Sequence, residues 1–410
     1  MTDLSHRLVE QVVQVQRADG SPLAHTDVDV EQRRHAVAFG CTGFDAPGLP
    51  GDPALERLWL DLFDTATLPF YWGRHEPVRG EPRTEELLDL AHWFAERGVR
   101  LKGHPLAWHT LAPAWLAPLT TDEVEQALRA RIRREVDAFR GLVTTWDAIN
   151  EVVIMPVFDN EAALEGGGQP PSAITRLCRE RGRVATVRLA FDEARAADPT
   201  ATLLLNDFDM STAFECLVEA VLEGGVQVDA IGLQSHMHQG WWGEEPTRAV
   251  LDRFARYGLP LHMTETTLLS GDLMPPEVDD LNDYQPEVWP STPEGEARQA
   301  EELVRHYTTL MAHPAVEAVT YWGLTDAGAW LGAPAGLVRH DGTPKPAYDA
   351  LRALVRDEWW HPRRTYRTDA TGRLRLRGWR GEYSLRVEEA GGAAAATFVL
   401  GDDGVVVRPG

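Results

Sequence analysis

The stretch VTTWDAINEVV, residues 143–153, begins as a β-rich apolar run and leaves it at Asn150-Glu151. A strand that buries its side chains has no ordinary use for a carboxylate at its exit, because an unpaired buried charge is costly. Seven further runs share this build: AVAFGCTGF (36–44), TATLPF (65–70), VRLKGHPLAWH (99–109), ATLLLND (201–207), VDAIGLQSH (228–236), LPLHMTE (259–265) and VEAVTYWGL (316–324). Helical patterns separate them, clearest in TEELLDLAHWFAERG (84–98), TDEVEQALRARIRREVDAFRG (121–141) and GEARQAEELVRHYTTLMAHP (295–314). The first starts at a Thr followed by acids and ends at Gly98, as helix capping predicts. PAYDALRALVRDEWW (346–360) supplies a helix after the eighth strand. Eight strand-plus-helix units predict an α/β fold of the (β/α)₈ barrel type. A doubly wound sheet is second choice, since no glycine-rich dinucleotide turn follows any of the strands.

The polar residues in these strands lie at one end. His104 to His109, Asn150-Glu151, Asn206-Asp207, Gln234 to His236, Glu265 and Trp322 all close their runs. Barrel strands all open onto one face, and active sites form there. One polar strand end is ordinarily a cap for the next helix; six together mark a site.

Glu151 and Glu265 are then the partners that the opening stretch requires. Two carboxylates facing one cleft suit glycoside hydrolysis, one donating a proton and the other attacking or stabilising the sugar cation. A retaining reaction would set the carboxyl groups about 5–5.5 Å apart and an inverting one about 6.5–9.5 Å apart. Trp108, Trp115, Trp241, Trp242, Trp322 and Trp330 are candidate platforms for sugar rings. His104 and His109 lack a third His or Cys at ligand spacing, so hydrogen bonding to hydroxyls is preferred to metal, and no cofactor is implied.

Composition agrees. The chain has 410 residues, 63 acidic against 40 basic, and a formal net charge of −23. That balance disfavours nucleic acid and anionic membranes, which attract clustered Lys and Arg. Cys41, Cys178 and Cys216 form no CxxC pair and predict neither a disulfide framework nor a zinc site. With no apolar signal-like core near the start, the expected location is cytoplasmic. Oligomeric state is left open.

The motifs GHPLAWHT (103–110), TTWDAINE (144–151), LLLNDFD (203–209), IGLQSHMH (231–238), MTET (263–266), YWGLTDAGAWL (321–331) and DGTPKPAYDAL (341–351) occur in an order and at spacings that resemble glycoside hydrolase family 10. The resemblance covers roughly residues 30 to 355. It implies a retaining, xylanase-like double displacement with Glu151 as acid/base and Glu265 as nucleophile. It also implies that Asn150 holds a sugar 2-hydroxyl, and that His104, Trp108, His109, Gln234, His236, Trp322 and Trp330 line the sugar subsite beside the cleaved bond. Asn206 matches a further asparagine of the site.

The departures are local. After the second strand, LPFYWGRHEP (68–77) keeps Trp72 and Glu76-Pro77 of the family pattern, while Leu68 and Pro69 replace polar sugar-binding residues and Tyr71 replaces a lysine. Leu68, Pro69, Phe70 and Tyr71 are expected to form an apolar wall on the donor side, with Tyr71 and Trp72 as substrate contacts. Two residues after Glu265, where the family carries an aspartate paired to the histidine matched by His236, stands Thr267.

The ends of the chain predict further strands. Residues 1–30 read as an N-terminal β-hairpin packed on the barrel, 31–361 as the barrel, and 362–410 as a small C-terminal β-domain. Trp379 and Tyr383 are candidate carbohydrate contacts there, although a lid on the barrel is preferred, and GGAAAA (391–396) reads as a turn. The resulting expectation is a retaining glycoside hydrolase acting on a short oligosaccharide or a glycosylated small molecule. The alternatives are an inactive carbohydrate-binding protein of the same fold and a barrel enzyme using these carboxylates for non-hydrolytic proton transfer.

Overall fold

The computed structural model describes residues 3–409 except 45, 47, 159–171, 390, 391, 402 and 403. Eight parallel strands close into a barrel: Ala38–Thr42, Thr65–Pro69, Arg100–His104, Val143–Asn150, Thr202–Asp207, Ala230–Met237, Leu261–Leu268 and Val316–Tyr321, each paired to the next and the last to the first. These are the eight runs expected from the sequence. Helices lie outside and bury one face each. Thr121–Ala138 starts at a capping box in which the Thr120 side chain accepts from Glu123 N–H and the Glu123 side chain accepts from Thr120 N–H. Its buried Val124, Leu128, Ile132 and Val136 recur at helical spacing and face the strands. Pro293–Ala312 is capped by Thr292, whose side chain accepts from Gly295 N–H at 3.0 Å.

Two boundaries differ from expectation. The helix at Thr84 ends at Ala95, and Arg83, which makes no side-chain cap bond, occupies its N-cap; Gly98 lies beyond it in the left-handed region, where the chain turns into the next strand. The last barrel helix is α-helical only over Pro346–Arg352 and continues as π-helical turns over Ala353–Glu358.

Both ends of the chain meet in a two-sheet module. One sheet orders Arg373–Trp379, Leu8–Val15 and Val405–Val407; the other orders Arg364–Arg367, Asp27–His35, Gly381–Glu389 and Gly392–Leu400. The N-terminal hairpin is therefore corrected: its two strands belong to different sheets, and each takes its partners from beyond residue 360. Apolar faces explain the choice. Val13, Val15, Val28 and Val30 bury against Leu374, Leu376, Tyr383, Leu385, Val387 and Phe398, which gives one core between the sheets. A hairpin alone has no second apolar layer to bury against. Residues 392–396 of GGAAAA are corrected too, since Gly392–Leu400 is a strand paired to Gly381–Glu389, while 391 lies outside the described residues.

Tyr383 is fully buried, stacks on Phe398 and donates its hydroxyl to the Trp379 carbonyl at 2.8 Å, so it is a core residue and not a carbohydrate contact. Trp379 packs half-buried against the barrel core. The module docks where the strands begin. Arg7 donates to the carbonyls of Met311, His313 and Val316, and Arg34 to that of Gly98. That end is opposite the strand exits, so the module is no lid over them.

Candidate active site

Glu151 follows the last residue of the fourth strand with φ of 56°, a left-handed conformation uncommon for a residue with a side chain. Its N–H donates to the Asn206 carbonyl at 2.9 Å, hooking one strand exit onto the next. Glu265 lies within the seventh strand. A register slip between Leu233 and Gln234 puts Leu233 opposite Met263 and Gln234 opposite Glu265, and bulges of this kind re-aim side chains.

A chain of amides joins the two carboxylates. Gln234 Nε2 donates to Glu151 Oε1 at 3.0 Å and to Asn150 Oδ1 at 3.1 Å; Asn206 Nδ2 donates to Asn150 Oδ1 at 2.7 Å and to Glu265 Oε1 at 3.0 Å. Thr264 Oγ1 donates to Asn206 Oδ1 at 2.7 Å and fixes that amide. A Cβ on Gly232 would come within 2.3 Å of Asn206 Oδ1, so the glycine of IGLQSH makes room for it. Asn150 Nδ2 remains buried without a protein partner.

The other carboxylate oxygens differ. Trp108 Nε1 donates to Glu151 Oε2 at 2.8 Å. His236 Nε2 lies 3.1 Å from Glu265 Oε2, and His104 Nδ1 lies 3.9 Å from Glu265 Oε1. Behind His104 stands Asp147, 2.7 Å from His104 Nδ1 and 2.8 Å from Lys102 Nζ. Asp147 is fully buried, and its partners hold its carboxyl below the usual range against the upward push of burial.

These surroundings drive the two glutamates apart. Burial pushes Glu151 above the ordinary carboxylate range, and the nearby Glu265 charge adds to it. Burial also opposes the charge on Glu265, but His104 and His236 outweigh it and hold that carboxyl below the ordinary value. At a pH between the two, the proton resides on Glu151 and the charge on Glu265, the division of labour that acid/base chemistry between two carboxyls requires.

The model of glycosyl hydrolase family 10 matches residues 70–354. The chain belongs to this family. An endo-1,4-beta-xylanase/feruloyl esterase of Xylanibacter ruminicola is 26% identical over 304 residues, which cover 68% of this chain and 40% of that protein. Endo-1,4-beta-xylanase B of Thermotoga neapolitana is 26% identical over 301 residues, covering 70% of this chain and 78% of its own length. The chain thus spans less than half of the first of these curated relatives. Among solved structures, a family 10 protein of Paenibacillus barcinonensis superposes with a TM-score of 0.63 at 25% identity, covering 78% of this chain and 95% of its own.

Against that family pattern, Trp108, Asn150, Glu151, Asn206, Gln234, His236 and Glu265 share the connected hydrogen-bonded network described above, and His104, bonded to Asp147, faces Glu265 at 3.9 Å. Trp322 and Trp330 flank it, with ring centroids 5.1 Å from His104 and 4.9 Å from His236 respectively. Two expected contacts lie elsewhere. His109 is wholly buried against Phe158, with both ring nitrogens unpartnered, and burial pushes its pKa down to about 3. Trp72 is buried too, donating to Glu76 Oε2 at 3.0 Å with the Arg131 guanidinium over its ring and Trp115 at its edge. Trp115 donates to the Glu76 carbonyl and Trp241 to His306, so both serve packing.

The wall expected on the donor side of this family 10 chain is built from different residues. Leu68 and Phe70 are fully buried, Phe70 against Phe139 and Trp146, because this part of the strand feeds the core. The residues near the network are Tyr71, whose ring lies 5.7 Å from both His104 and Trp108, and Phe44, 5.8 Å from Tyr71 and 6.0 Å from Trp322. Sequence reading missed Phe44, although it closes the first strand run as Trp322 closes the last. Asp147 and Lys102 were also missed; a charged pair at alternate positions of strands three and four was their signal. Thr267 Oγ1 stands 3.5 Å from Nδ1 of both His236 and His238, one hydroxyl between two rings where the family places a carboxylate.

Proposed function

We propose that the protein is a retaining glycoside hydrolase that cleaves a β-glycosidic bond in a short oligosaccharide or a glycosylated small molecule. The observation that carries this reading is the paired but opposite environment of Glu151 and Glu265, joined through Asn150. Glu265, ionised, attacks the anomeric carbon while Glu151 gives its proton to the departing glycosidic oxygen. Water then attacks the anomeric carbon of the glycosyl-enzyme, Glu151, now a base, takes its proton, and the bond to Glu265 breaks to return that carboxylate. Asn150 Nδ2, with no protein partner, has both protons free for a donor-sugar hydroxyl beside the nucleophile.

The xylanase names of the relatives support a xylose-type donor. The aromatic corner of Phe44, Tyr71 and Trp108 supports a short one, because ring faces offer a second donor-side sugar few directional hydrogen bonds beyond the Tyr71 hydroxyl. Incubating the protein with xylan and with xylo-oligosaccharides, then sizing the products, tests the reading. Release of short products from chain ends or aglycones is expected, with weak action on polymer; rapid mid-chain cutting would refute the short-substrate assignment. Proton NMR of the first product separates retention from inversion.

A further inference from the structure

Asp207, the last residue of the fifth strand, has no role in the scheme above. Strand alternation sends neighbouring side chains to opposite sides. Asn206 reaches into the amide chain between the glutamates, and Asp207 reaches the other way, to the segment that follows Glu151. Its Oδ2 accepts from Val153 N–H at 3.0 Å and its Oδ1 from Asp209 N–H at 3.1 Å. The Val153 carbonyl accepts two hydrogen bonds from Arg183, at 2.9 and 2.7 Å.

We propose that Asp207 is a positioning residue for Glu151: its carboxyl group holds the backbone just beyond Glu151 and so maintains the left-handed conformation from which that side chain reaches the cleft. The proposal rests on Glu151 being the acid/base. A left-handed glutamate costs energy relative to an extended one and persists only when neighbours over-determine it. Three constraints do so here: Glu151 N–H on the Asn206 carbonyl, Val153 N–H on Asp207, and Arg183 on the Val153 carbonyl. Two of the three come from consecutive residues of the fifth strand, so Asn206 and Asp207 together place both ends of the peptide run through Glu151.

The same geometry couples charge. Asp207 is fully buried, with the carboxyls of Glu151 and Asp209 as its charged neighbours, and Arg183 bound to the far side of the Val153 peptide. Among the described residues it forms no ion pair. Burial pushes its pKa up to about 7, with Glu151 and Asp209 adding to the push and the two backbone N–H groups opposing it. The repulsion is mutual, so the state in which Glu151 and Asp207 are both ionised is disfavoured. Removing the Asp207 charge relieves that repulsion on the alkaline side of the activity profile.

The test compares wild type with Asp207→Asn, Arg183→Gln and the control Glu151→Ala on aryl β-glycosides (xyloside, xylobioside, glucoside, cellobioside) carrying leaving groups from 2,4-dinitrophenol to phenol. Asp207→Asn keeps the volume but turns an amide N–H₂ toward one of the two backbone N–H groups. It is expected to lower kcat/KM on phenyl glycosides roughly tenfold, a part of the 10²–10⁴ that general acid catalysis supplies. Dinitrophenyl glycosides should be nearly unaffected, and the alkaline limb should move to lower pH by about half a unit as a neighbouring charge is lost. Arg183→Gln, at the surface, should show the same leaving-group selectivity with a smaller size and an unmoved limb. Equal losses on all leaving groups with an unmoved limb, in the presence of a leaving-group-selective Glu151→Ala, would overturn the role of Asp207. If Glu151→Ala itself shows no such selectivity and no rescue by azide, the assignment of Glu151 is what fails.

Discussion

The strand exits of the barrel and the two-sheet module at its other end are built from the same kind of element and spend it differently. In the module, Leu374, Leu376, Leu385 and Val387 point inward while Arg373, Arg375 and Arg386 point outward, and the inward residues share one apolar cluster. At the exits, the inward residues are Asn150, Asn206, Gln234 and Glu265, all buried and held by hydrogen bonds to one another. The first arrangement gains stability from area removed from water. The second places costly groups where they do chemistry, and each is tolerated because a partner satisfies it. Stability and reactivity are thus assigned to opposite ends of one barrel, as strand polarity in this fold allows.

Substitutions should separate the two ends. Glu265→Gln should abolish turnover of every substrate, a loss on the order of 10⁴-fold or more as expected for one member of a catalytic unit, with little change in thermal melting. Residual turnover within tenfold of wild type would dissolve the contrast. Glu151→Ala should cost about 10²–10⁴ on substrates with poor leaving groups and far less on dinitrophenyl glycosides, with partial recovery in azide. The module should behave in the opposite way: Tyr383→Ala leaves a cavity costing about 3–5 kcal/mol, visible in denaturant unfolding, while kcat of the folded protein stays unchanged. A fall in kcat for the folded fraction would show that the two ends are coupled.

The pH profile sharpens the difference within the exits themselves. Turnover needs Glu265 ionised and Glu151 protonated. The lowered Glu265 value puts the acidic limb of kcat/KM below the ordinary carboxylate range, and the raised Glu151 value puts the alkaline limb above it. Limbs in the reverse order in the pH profiles of Glu265→Asp and Glu151→Asp would exchange the two roles. The smallest effect is expected at Tyr71. Tyr71→Lys should change the ratio of activity on xylotetraose to that on xylobiose by a few fold, worth under about 1 kcal/mol for an exposed polar contact, without altering the dinitrophenyl rate.

Much of this was legible in the chain. Eight runs ending in polar groups, with Glu151 and Glu265 at two of the exits, announce both barrel and site, because continuous apolar runs and their polar ends are local properties of sequence. The partners of those residues were less legible. Phe70 and Leu68 look like a wall on paper and are core in the fold, because an apolar residue near a strand end carries no mark of which side it will face. His109 looks like a sugar contact beside Trp108 and is sealed behind it. The N-terminal strands read as a hairpin because sequence neighbours are the default partners, but their apolar faces found a second layer more than 300 residues away.

The sequence by itself determined the alternation of strands and helices, the two glutamates and their separation along the chain. Only the tertiary structure decided which of the two keeps its proton. Glu151 and Glu265 are the same residue type and would titrate alike in a free chain. They part because closure of the barrel surrounds Glu265 with His104 and His236, and leaves Glu151 buried beside that charge with only neutral donors, Gln234 and Trp108.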